Sequence, residues 1–183
     1  MIKLLNGGAT VRLRLNICDV DMQLKIKNWK KPSPGNEYEW ADTELFLRSK
    51  YLNYDPSGEI LMNDEILDLC YSLDALLTGK MQSDCEMSFA EPDLEFKFSV
   101  AKRLYSEPGG VWYRDGYRDF DIELAMYIKF WCTDGLGTNQ FKMVFDREEI
   151  EALCVYLKMV IGELPKDDPA VEKLIRQGLL LPE

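Results

Sequence analysis

Between Met62 and Phe98 the apolar residues change their spacing, and that change restricts the fold more than anything else in the chain. Ile66, Leu69, Cys70, Leu73, Leu76 and Leu77 recur at i, i+3, i+4 and i+7, which lays one continuous stripe along an α-helix. After Thr78-Gly79 the period drops to two: Met87 and Phe89, then Leu94, Phe96, Phe98 and Val100, each separated by a polar or small residue. A helix with one apolar stripe and strands with one apolar face must cover each other, so the stretch predicts a helix packed on a sheet. Asn63 is the expected N-cap of this helix, and Thr78-Gly79 its stop. Pro92 has no N–H for a ladder and marks the turn between the two strands.

The same alternation recurs elsewhere. Val11, Leu13, Leu15 and Ile17 face away from Thr10, Arg12, Arg14 and Asn16, and Met22, Leu24 and Ile26 repeat the pattern, which predicts an antiparallel pair broken near Cys18-Asp19-Val20-Asp21. Lys30 to Asn36, with two prolines and a glycine, reads as a loop. Glu44 to Asn53 reads as a strand, Asp55-Pro56-Ser57-Gly58 as a turn, and Glu59 to Met62 as a short return strand. Ile122 to Cys132 is the longest alternating row; Asp134 to Gly137 turns it, and Phe141, Met143 and Phe145 return. A second helix follows with Asp146 as N-cap and Glu149 three residues on, the signature of a capping box. Asp168 followed by Pro169 opens a short third helix to about Gln177. These elements predict an α+β fold: an antiparallel sheet assembly of about eight or nine strands, two long amphipathic helices on it, and a short C-terminal helix.

The two long helices align with each other. Glu65-Ile66-x-x-Leu69-Cys70-x-x-Leu73-x-x-Leu76-Leu77 matches Glu149-Ile150-x-x-Leu153-Cys154-x-x-Leu157-x-x-Val160-Ile161. One reading is a duplicated strands-then-helix unit, with halves 1–80 and 84–163 and a C-terminal helical extension over 164–183. The simpler reading is that any helix on a sheet converges on this spacing. At 183 residues the whole chain suits one domain, residues 1–183.

Composition removes several classes of function. There is no histidine, so the commonest general base, the Ser-His and Cys-His pairs and the usual catalytic zinc sites are all missing. The five cysteines are odd in number and lack CxxC spacing, which favours small buried thiols over a metal site or disulfide framework. A net charge of −10 disfavours direct nucleic-acid binding and suits a basic protein partner. No apolar run reaches the ~20 residues of a membrane span, and the N-terminus is too short and polar for a signal segment. The chain is therefore expected to be cytoplasmic, without metal or cofactor. Gly7-Gly8 and Gly109-Gly110 lack the context of a nucleotide loop.

Two surface segments stand out. Val111-Trp112-Tyr113-Arg114 and Tyr117-Arg118-Asp119-Phe120 flank Asp115-Gly116, a strong hairpin signal. Trp, Tyr and Arg concentrated there give the composition of a protein-binding hot spot, and the alternative is a ribbon whose rings fold back onto the core. Carboxylates are abundant, among them Glu91, Asp93 and Glu95, but nothing in their spacing pairs them for acid–base chemistry or matches a calcium loop. No enzymatic activity is expected. The competing possibilities are a carboxylate- or cation-dependent enzyme and a general protein-binding adaptor.

Three pieces in order carry a family resemblance: a strand around Leu45-Phe46-Leu47, a helix with Asp64-Glu65-Ile66 and Leu69 through Leu77, and then Phe89-x-Glu91-Pro92-x-Leu94-x-Phe96. Over Trp40 to Phe98 the chain resembles the bacterial immunity proteins of the WapI family. The likeness extends through Tyr127-Ile128-Lys129-Phe130 to the second helix. The longer N-terminal strand pair, the aromatic hairpin and the extra C-terminal helix depart from that pattern. The resemblance implies a non-catalytic protein that binds the toxic C-terminal domain of a WapA-type contact toxin, a basic nuclease covered by an acidic face. The expected partner-binding residues are Trp112, Tyr113, Arg114, Tyr117 and Arg118 as anchors, with Glu91, Asp93 and Glu95 as acidic contacts.

Overall fold

The computed structural model describes residues 11–35, 38–55, 57–91, 94–100, 122–132 and 135–182. In chain order the elements are β1 (Val11–Ile17), β2 (Val20–Lys27), β3 (Trp40–Arg48), β4 (Asn53–Tyr54), β5 (Ser57–Met62), α1 (Asn63–Leu77), β6 (Cys85–Ser88), β7 (Leu94–Ser99), β8 (Glu123–Cys132), β9 (Gly135–Phe145), α2 (Arg147–Val160), α3 (Pro169–Arg176) and β10 (Leu180–Pro182). The fold is α+β, with ten strands among the described residues in place of the eight or nine expected. They form two antiparallel sheets. One runs β10-β1-β2-β3, with β4 and β5 both pairing with β3; the other runs β6-β7-β8-β9 in chain order.

Register follows the apolar alternation. Leu13 opposes Leu24, Leu15 opposes Met22, and Met22 in turn opposes Leu47, so a buried row crosses three strands. In the second sheet Phe96 opposes Met87 on one side and Met126 on the other, and Met126 opposes Met143. The helix stripes close over these rows: Ile66, Leu73, Ile150 and Leu157 are fully buried. Each such side chain contributes about 1.5–3 kcal/mol when removed from water. α1 packs against α2, and α2 touches both β1 and β9, which places it where the two sheets approach. Tyr156 of α2, fully buried, uses its hydroxyl to accept the Ile26 N–H at 2.8 Å. That amide lies beyond the last β1–β2 pair and takes the phenol oxygen as its acceptor.

Several boundaries differ from the sequence-based expectation, each for a physical reason. β3 begins at Trp40, because Trp40 and Ala41 pair with Met62 and Leu61. It stops at Arg48, because the Ser49 hydroxyl accepts the N–H groups of Tyr51 and Leu52 and bends the chain. β9 starts at Gly135, inside the expected turn, since Cys132 already pairs with Gly135. Asn63 is the first residue of α1 and not its cap. Its carboxamide holds the preceding loop, accepting from Lys30 N and donating to the Glu39 carbonyl, each at 2.9 Å. The C-terminal extension is only partly helical: after α3, Leu180–Pro182 add an edge strand to β1. Of the cysteines expected to be buried, Cys70 and Cys154 are, whereas Cys18 and Cys85 are exposed. Cys18 occupies the β1–β2 turn, where it and Asp19 both take left-handed backbone angles (φ 51° and 65°).

α2 starts with the expected reciprocal cap. Asp146 Oδ1 accepts Glu149 N and Glu149 Oε2 accepts Asp146 N, both at 2.8 Å. α3 is capped by Asp168, which accepts Ala170 N at 2.8 Å with Pro169 in the first turn.

Candidate functional site: an acidic corner

The start of α1 is held by a different device. Met62, in the cap position, has no side-chain oxygen to offer, and Glu65 supplies the anion. Its Oε2 accepts Met62 N at 2.8 Å, while Oε1 reaches Ala90 N at 2.5 Å. Ala90 belongs to the turn between β6 and β7, and Phe89 anchors that turn by burying its ring edge-on against Phe96, with centroids 5.6 Å apart and planes at 87°. The Asp64-Glu65-Ile66 run of the helix and the Phe89-Ala90-Glu91 segment are thus tied by one carboxylate.

Around this tie the charges are of one sign. Asp64 and Glu91 both act on Glu65, and Asp64 acts on Asp68 one turn along the helix. Burial pushes the Glu65 carboxyl above the usual range; its two backbone hydrogen bonds oppose this, and the neighbouring acids add to it. Asp68 is raised by burial and then by Asp64. Among the described residues, none of Asp64, Asp68 and Glu91 forms an ion pair with a lysine or arginine. The macrodipole of α1 favours acids in its first turn, which compensates them in part.

The outward sheet faces are arranged oppositely, with acids and bases interleaved. On the first, Glu44 takes both Lys27 (2.5 Å) and Arg12 (3.2 Å), and Arg14 takes Asp21 (2.8 Å). On the second, Glu95 lies between Lys129 (2.6 Å) and Lys97 (3.2 Å), and the Lys129 hydrogen bond is the main cause holding its carboxyl below the usual range. Each face also sets one ring between two cations: Phe46 beneath Arg12 and Arg48, Tyr127 beneath Lys97 and Lys142.

Of the residues singled out in the sequence, Trp112, Tyr113, Arg114, Tyr117, Arg118 and Asp93 lie outside the described residues. Glu91 is half-buried in the acidic corner. Glu95 differs from it in that its charge is matched by two lysines. Asp64 and Asp68 are not among the expected partner-binding residues, although an acid pair at i, i+4 is a signal present in the sequence. Among the described residues no group of three or more Cys, Asp or Glu side chains could hold a metal ion. No helix there is long and apolar enough to cross a membrane. A cleft of about 370 Å³ at the C-terminal end of α1 is lined mainly by Leu76, Leu77, Met81, Val100 and Ile122. Its one ionisable group, Arg147, lies 3.8 Å from Glu151.

No curated protein and no solved structure matches the chain. A protein-family comparison does: the model of the immunity protein WapI-like family covers residues 14–165, from within β1 to just past α2, leaving α3 and β10 outside. The linked Asp-Glu-Ile helix start and Phe-x-Glu-Pro turn both fall inside that span. The chain belongs to the WapI-like immunity protein family.

Proposed function

We propose that this chain is a non-catalytic, stoichiometric inhibitor that binds the toxic domain of a contact-delivered bacterial toxin and covers its basic, nucleic-acid-binding surface. Membership of the immunity family carries the reading. The net charge of −10 supports it, as do Asp64, Asp68 and Glu91, none of which pairs with a lysine or arginine among the described residues, since a negative field steers a basic partner and hastens encounter. Trp112, Tyr113, Arg114, Tyr117 and Arg118 would supply the aromatic and guanidinium anchors that such interfaces concentrate. Glu91 and Asp93 would meet partner cations at the neighbouring turn, and Glu95 would do so only by exchanging its present lysines. Protection of this kind takes place in the cytoplasm, where the nuclease acts, and needs neither metal nor cofactor.

The test is growth of cells that express the toxic domain encoded beside this chain's gene, with and without the chain. Protection by the intact chain and loss of protection with Trp112→Ala plus Tyr117→Ala, at unchanged melting temperature, is the expected result. Absence of protection at equal or higher expression of the chain would remove the proposal.

A further inference from the structure

Ile66, Leu69, Leu73 and Leu76 of α1 face the core, and Asp64, Asp68, Tyr71 and Ala75 form the row opposite them, at i, i+4, i+7 and i+11. Tyr71 is half exposed in that row. Tyr38 and Tyr51 are more exposed, but each sits in a turn or bend, whereas Tyr71 is fixed to a helix. Its far end is held as well: the hydroxyl donates to Glu163 Oε1 at 2.9 Å. Glu163 belongs to the turn that closes α2, where its N–H donates to the Lys158 carbonyl at 2.8 Å just after Gly162 takes a left-handed φ of 80°. A ring held at both ends loses little freedom on binding, and its phenol can be covered without leaving an unsatisfied donor.

The surroundings of this ring differ from those of other rings in the molecule. Phe46 and Tyr127 each lie beneath two cations, and Tyr51 has Lys50 Nζ 5.1 Å from its centre. Tyr71 has no such cation among the described residues. Asp64, Asp68 and Glu163 form no ion pair with a lysine or arginine there either, and Lys158, which reaches α1 from α2, is taken by Asp74. We propose that the outer face of α1 is a docking surface with Tyr71 as its anchor, and that its occupant is a basic protein surface that brings a lysine or arginine to the ring. The proposal rests on the inhibitory function above and gives it a contact residue on a rigid element. The partner's cation stacks on the Tyr71 ring and pairs with Asp68, three residues earlier on the same face. Asp64 and Glu163 lie at the rim, where they favour encounter with a basic partner. An acidic partner would meet three carboxylates of like charge, and a purely apolar one would bury those carboxylates without cations.

The experiment titrates the toxic domain encoded beside this chain's gene into the full chain and into its Tyr71→Ala, Ala75→Arg and Tyr71→Phe variants, with Tm measured for each. Tyr71→Ala and Ala75→Arg should weaken binding about tenfold or more at unchanged Tm, while Tyr71→Phe, which keeps the ring, should stay within about threefold of the parent. Nitration of the unsubstituted chain by tetranitromethane, free and in the complex, reads the same face by peptide mapping and decides the matter should Tyr71→Ala lower Tm. Tyr71 should be protected in the complex. Undiminished binding by a folded Tyr71→Ala variant, or equal nitration of Tyr71 in the free chain and the complex, would overturn the docking face and leave the inhibitory function standing. No binding by the unsubstituted chain would overturn both.

Discussion

The two long helices carry the same stripe, yet they begin differently. α2 closes its first turn from within: Asp146 and Glu149 satisfy each other's backbone N–H groups, four residues suffice, and the motif is visible in the sequence. α1 begins at Met62, which has no such group, and Glu65 divides its carboxylate between Met62 N and Ala90 N across the β6–β7 turn. The same glutamate position thus completes a local cap in one helix and joins two distant segments in the other. A cap that closes on itself leaves the surrounding surface free. One that recruits a second segment brings Glu91 to the acidic start of α1, beside Glu65 and Asp64.

This contrast predicts unequal costs. Glu65→Ala should destabilise the protein by about 2 kcal/mol, because two backbone donors lose a charged acceptor and a turn is released from the helix. Glu149→Ala should cost under about 1 kcal/mol, the ordinary value of half a capping box. Urea denaturation at neutral pH measures both, and equal losses would break the distinction. Next in size, Tyr156→Phe should cost about 1 kcal/mol by leaving the buried Ile26 N–H without its acceptor.

The smallest effect has the opposite sign. Asp68 and Glu65 have folded-state pKa values raised above their unfolded values. Any stability linked to them is therefore present below the unfolded pKa of about 4 and lost as pH rises through the raised folded value. Asp68→Asn should stabilise the protein at neutral pH by a few tenths of a kcal/mol, as expected for removal of a like-charge i, i+4 pair, with the gain vanishing near pH 3. Asp74, held low chiefly by its hydrogen bond to Lys158, behaves in the reverse way: its contribution is present above about pH 4 and lost on acidification. Asp74→Asn should therefore flatten the acid limb of a Tm–pH curve that Asp68→Asn leaves in place.

How far the sequence reached depends on whether an interaction was local. Helix stripes, strand alternation and the Asp146 and Asp168 caps all depend on residues within a few positions of one another, and they could be read directly. Asn63 could not be, because a residue suited to N-capping was drawn instead to Lys30 N and the Glu39 carbonyl by the fold. Leu180–Pro182 became a strand only because the edge of β1 was available, a fact held more than 160 positions away. The acidic corner lies between these extremes. Asp64 and Asp68 are neighbours by helix spacing alone, whereas Glu91 joins them only once Glu65 holds the turn against the helix.

The central claim is that this corner, costly to the fold, is kept for a basic partner. The most direct measurement is calorimetric titration of the toxic domain encoded beside this chain's gene into the intact chain and into Asp64→Asn with Asp68→Asn, at low and physiological salt. The account predicts one-to-one binding by the intact chain, weakened at least tenfold by the double substitution, with the gap narrowing as salt screens the field. A double variant that is as stable as the parent or more so, and that binds the domain with undiminished affinity at both salt concentrations, would contradict it.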